Sequence, residues 1–134
     1  MTKRFLLIAV MVFWCGVGFA KDLTGLILSC GGSDEEIYPE EPNHWNHLNI
    51  KFLSKHQAHV ITNHGFIFYE KTESYRVFEH EISIENSVTI KRATLKIHGW
   101  KPCKIVEDEN FDIKKDAEER KQKALDAQEK LNII

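Results

Sequence analysis

Histidine is the residue type whose spacing first suggests chemistry. The chain holds seven, and five of them fall as His44-x-x-His47, His56-x-x-His59 and His64. Imidazole is a common zinc and copper ligand, but a site needs three or four ligands converging from fixed backbone positions. A spacing of three converges on a helix or in a tight turn. His44 and His47 instead fall in a proline-bounded loop, and His56 and His59 straddle a turn. The expectation is therefore of solvent-facing or locally hydrogen-bonded rings, with a metal centre built from His44, His47, His56, His59 and His64 as the alternative. Hydrolysis would need a nucleophile, a base and an orienting acid. Neither Gly-x-Ser-x-Gly nor His-Glu-x-x-His occurs, so no residue is expected to be catalytic and no cofactor is implied. The carboxylates Asp34, Glu35, Glu36, Glu40 and Glu41 lack the alternation of oxygen ligands that defines a calcium loop, and they read as a solvated acidic loop.

Aromatic residues carry the expectations about binding. Phe52, Phe66, Phe68, Tyr75 and Phe78 fall in segments with strand character, while Tyr38 and Trp45 fall in the loop spanning residues 31–47. Set in a small barrel, these seven either line a cavity for an apolar molecule or fill the interior themselves, because a barrel of about eight strands is only just wide enough for its own side chains. Phe52 is expected to point inward, since Leu48, Ile50 and Phe52 alternate with Asn49 and Lys51.

The elements that would position these residues are mainly strands. Residues 23–30 read as a strand closed by Gly31-Gly32, and the acidic loop 31–47 follows with Pro39 and Pro42. From Leu48 the apolar period becomes two, and short strands follow near 58–62, 66–69, 75–78, 82–84, 88–90, 94–97 and 103–106. Turn signals separate several of them, including Asn63-His64-Gly65 and Glu85-Asn86-Ser87. Short links between successive strands make an antiparallel meander, which removes its edges by closing, wholly or partly, into a small barrel. Residues 112–131 contain no glycine or proline and are rich in Ala, Leu, Glu, Gln and Lys, so they read as a helix. Acid-first pairs one turn apart, such as Asp116 with Arg120, support it. Its apolar stripe of Ile113, Ala117, Ala124 and Leu131 is thin.

Residues 1–20 have the order of a secretory leader: Lys3-Arg4, an uncharged apolar run from Phe5, and small residues before a cleavage point after Ala20. The expected divisions are thus leader 1–20, β-barrel domain 21–109 and charged helical segment 110–134. Cys15 departs with the leader, leaving Cys30 and Cys103 in an oxidising compartment, periplasmic or extracellular. One lies in the first expected strand and the other in the last, so a bridge between them would staple the seam of a closing sheet. The whole chain carries a formal net charge of −2, and loss of Lys3 and Arg4 makes the remainder more acidic. This balance disfavours nucleic-acid partners, whose affinity rests on clustered Lys and Arg. Hydrophobic residues at 43% and charged residues at 28% exclude a wholly disordered chain.

Gly25 near the first strand, the large first loop, the meander and the helix after the last strand resemble the architecture of a lipocalin-like (calycin-type) barrel. The hairpin Val88 to Ile97 followed by Cys103 also looks like that of small exported bacterial proteins. The resemblance implies a barrel with a mouth beneath loop 31–47, and hence a non-enzymatic exported protein binding a small apolar molecule. A second reading is an interaction module, in which the acidic loop or the C-terminal helix contacts an envelope or secreted protein and the barrel is solid scaffold.

Overall fold

A computed structural model of the chain describes residues 22–31 and 37–133. The expected leader and part of the acidic loop lie outside these residues. The chain forms a mainly β structure of eight antiparallel strands in a strongly curled half-barrel, followed by one helix. The strands are β1 (Ile27–Gly31), β2 (Asn46–Phe52), β3 (Gln57–His64), β4 (Ile67–Val77), β5 (Glu81–Ile84), β6 (Thr89–Lys91), β7 (Lys96–Ile97) and β8 (Lys104–Ile105), and the helix is α1 (Ile113–Ile133). Their order in the sheet is β7-β6-β5-β4-β3-β2-β1-β8, a meander whose last strand returns to the outer side of the first.

Alternation along the strands sorts side chains into two faces. Register places Cys30, Leu48, Thr62 and Tyr69 in one row across β1 to β4, and Leu28, Ile50, Val60 and Lys71 in the next. These rows face the concave interior, where Leu26, Leu28, Ile50, Phe52, Ala58, Ile82 and Ile90 are almost wholly buried. The opposite parity, Ile27 and Ile61 among it, faces the convex side, where α1 lays Ile113 and Ala117 against it. Ala117 is small enough for the helix to sit close to the sheet. Asp112 caps the helix, its Oδ1 accepting the backbone N–H groups of Lys114 and Lys115 at 3.0 and 3.2 Å.

The structure differs from the sequence reading at several boundaries. The first strand begins at Ile27, because Leu26 N–H bonds to Leu23 C=O and turns the preceding segment. Trp45 ends the loop, so His47 belongs to β2. The segments read near 66–69 and 75–78 form the single eleven-residue strand β4, since Glu70 to Ser74 continue to pair with β3 despite their polarity. Turns occur where the backbone needs positive φ, at Gly65 (61°) and Asn86 (56°). Gly65 is further constrained: a Cβ there would lie 2.3 Å from the backbone oxygen of Asn43, in the short 3-10 turn Pro42–His44.

The sheet ends at β7 and β8. These edges are tied where Cys103 N–H donates to Leu95 C=O at 2.7 Å, and the Cys30–Cys103 disulfide joins the same place to β1. The Cα atoms of the bridge are 4.2 Å apart, close enough for the expected pairing. The expected closed or half-open barrel takes the half-open form.

Candidate functional site

The seven aromatics considered for a ligand site do not come together. Phe52 and Tyr75 meet edge-to-face inside the half-barrel, with ring centroids 4.8 Å apart. Both are buried, and Tyr75 Oη donates to Ser54 C=O at 2.6 Å. Burial pushes the Tyr75 hydroxyl pKa upward, so the neutral donor form is retained. Phe68 lies on the convex face beside α1, and Phe66 is half-buried in the β3–β4 turn. Phe78 is exposed and, with Tyr75, lines a depression of about 480 Å³ whose other walls, His56, Ser74, Arg76, Ser83 and Glu85, are polar. Tyr38 is exposed and Trp45 half-buried, joined by a bond from Trp45 Nε1 to Tyr38 C=O.

The histidines are equally dispersed. His44 and His64 approach with ring centroids 6.2 Å apart, and His64 Nδ1 lies 2.7 Å from Asn46 Oδ1. His59 Nε2 is 2.8 Å from Glu70 Oε2 on the convex face. His56 is exposed before β3, and His47 is buried beneath α1. Among the described residues no three His, Cys, Asp or Glu side chains gather as metal ligands would.

A polar cluster between the sheet and α1 has the residue types of a hydrolase. Ser29 Oγ and Asn49 Oδ1 lie 2.9 and 3.1 Å from His47 Nε2, and Asp116 Oδ2 is 4.0 Å from the same nitrogen. Asn49 Nδ2 donates to Asp116 Oδ2 at 2.7 Å, which leaves Asn49 Oδ1 as the acceptor and assigns the proton to His47 Nε2. A nitrogen that already holds a proton cannot take one from Ser29. A serine triad also needs its acid and its nucleophile on opposite ring nitrogens, whereas here both face one. The cluster instead fastens the helix. Asn63 Nδ2 donates to Ala117 C=O at 2.9 Å, and Arg120 Nε donates to Asp116 Oδ2 at 2.8 Å. Burial pushes the Asp116 carboxyl up, but hydrogen bonds from Asn49 and Arg120 and the nearby charges of Arg120 and His47 outweigh it. The net effect holds the group below the usual carboxylate value. Sequence reasoning placed Asn49 on a solvent face and did not single out Ser29, Asn63 or Asp116 as a cluster. The available signal was the helix's own apolar stripe, which had to cover part of that face.

The remaining feature is the far edge of β4. Residues 67–74 pair with β3, but β5 pairs only with 75–77 before the chain turns away at Glu85-Asn86-Ser87. Tyr75 N–H donates to His56 C=O, which makes the odd-numbered residues of β4 the hydrogen-bonded partners of β3. The backbone groups of Phe68, Glu70 and Thr72 therefore point outward, and among the described residues no strand pairs with them. Ile67 and Tyr69, on the concave face of this segment, are 46% and 56% exposed. Beside them a cleft of about 270 Å³ is lined by Thr62, Tyr69, Lys71, Glu73, Asn86 and Ser87, among others. Of these edge residues the sequence singled out only Phe68, as an aromatic of the expected strand near 66–69, because polar Glu70 to Ser74 read as a link between two strands. Comparison with protein families, with curated proteins and with solved structures gives no match.

Proposed function

We propose that this chain is a non-enzymatic exported binding module, built on a lipocalin-like half-barrel, that pairs with an extended polypeptide segment along β4. The observation that carries this reading is the edge of residues 67–73, with which no described strand pairs on its outer side, and its exposed Ile67 and Tyr69. An open edge offers a row of N–H and C=O groups for strand addition, and the side chains beside it select the partner. Phe52 and Tyr75 occupy the middle of the interior, which favours scaffold over a cavity for an apolar molecule. The shared use of His47 Nε2 by Ser29 and Asp116 supports the non-enzymatic part. A disulfide at the seam, with no described helix long and apolar enough to cross a membrane, is compatible with export.

Screening immobilised protein against a library of short extended peptides tests the binding site. Bound peptides should be lost on Thr72→Pro, because proline removes an outward N–H while an edge position tolerates it, and thermal unfolding should show the variant folded. Binding of an apolar fluorescent probe without any peptide binding would replace this reading with the small-molecule one. For export, the intact mass of chain recovered outside the cytoplasm should correspond to a start at Lys21.

A further inference from the structure

We infer that the segment which pairs with β4 is β4 of a second copy of this chain, in an antiparallel two-fold arrangement centred on Tyr69. The inference rests on the strand-addition reading above and names its partner. A two-fold axis normal to the sheet keeps each face with itself, so residues of equal parity stand opposite one another. Charge then selects the register. Centring on Glu70 uses the whole open segment but sets two Glu70 carboxylates face to face, and centring on Lys71 sets two ammonium groups together; like charges directly opposite are destabilising. Centring on Tyr69 gives the longest overlap with no like charges opposed.

In that register Tyr69 faces its copy, Ile67 faces Lys71, and Phe68 faces Glu70. The outward backbone groups of Phe68 and Glu70 then become mutual hydrogen-bond partners, matching the parity set by the Tyr75 to His56 bond. Tyr69 and Ile67, two of the large apolar side chains left exposed, become covered. The aliphatic stem of Lys71 lies over Ile67 of the other copy while its ammonium stays in water. Glu70 does not oppose its counterpart and keeps its hydrogen bond with His59 Nε2 at 2.8 Å and its ion pair with Lys114 Nζ at 3.7 Å.

A tyrosine pair at a two-fold in a non-hydrogen-bonded position has Cα atoms about 4.5 Å apart, within the range a disulfide spans. The test therefore uses the folded chain with its native bridge closed and the single replacements Tyr69→Cys and Lys71→Cys, together with sedimentation of the wild type over a concentration series. The expected result is a wild-type mass rising from one chain to two, with Tyr69→Cys forming a linked dimer several-fold faster than Lys71→Cys. Tyr69→Asp and Tyr69→Lys should each sediment as single chains, and an equimolar mixture of the two should regain the pair. A single-chain mass at every concentration, with equal linking of both cysteine variants, overturns the inference. If peptides sensitive to Thr72→Pro still bind that single chain, the open-edge reading survives and only the identity of the partner fails. If neither a copy nor a peptide pairs, both fail together.

Discussion

Phe52 shows how a single side chain separates scaffold from pocket. It is fully buried against Tyr75 in the interior, so Phe52→Ala removes a packed ring rather than widening an open space. The expected cost is about 3–5 kcal/mol in urea unfolding, with no apolar probe bound by the wild type. Its inward direction was legible from the alternation of Leu48, Ile50 and Phe52 with polar neighbours. Asp116 was not legible, because its environment joins Arg120 of its own helix to His47 and Asn49 of β2, far away in the chain. Its folded-state pKa lies below that of the unfolded chain, so its contribution is complete above the unfolded value and is lost as pH falls through the folded one. Wild-type stability should therefore decline on acidification below about pH 4, and Asp116→Asn should flatten that part of the curve measured by denaturant midpoints.

Among the elements, α1 and β4 illustrate opposite relations between pattern and structure. The helix was legible in both extent and stripe, since Ile113, Ala117 and Ala124 are the residues it buries. What the pattern did not contain was its landing place, a convex face where buried Asn49 and Asn63 bond to the helix beside the apolar contacts of Ile27 and Ile61. Asp112→Ala removes the cap and should lower stability by about 1 kcal/mol in thermal unfolding, with the loss concentrated in slower-exchanging amides of the first helical turn becoming faster. β4 was legible only at its ends. Glu70, Lys71, Thr72 and Glu73 are polar because both faces of that segment meet water or the convex ion pairs, so no hydrophobic period marks the strand, and its pairing comes entirely from β3.

At the scale of the whole molecule the meander and its disulfide were legible together, because cysteines in the first and last expected strands have a use only if those strands meet. Closed and half-open forms both stood as expectations, and the choice between them depends on where β5 stops pairing and on β7 and β8 being too short to join along their length. The bridge joins residues 73 positions apart in the chain, and its reduction should cost roughly 4 kcal/mol, read as the difference in denaturant stability with and without reductant. The return of β8 to the outer side of β1 also bears on how the molecule can be made. Synthesis delivers Cys30 long before Cys103, and through that interval β1 has β2 on one flank and nothing from β8 on the other. A nascent chain thus carries a second unfinished border, at β1, beside the one along β4 that no described strand of the same chain fills. Termination just after β7 would leave seven of the strands in place and none of the closure, so the last short segment before the helix is the final condition for a lockable fold.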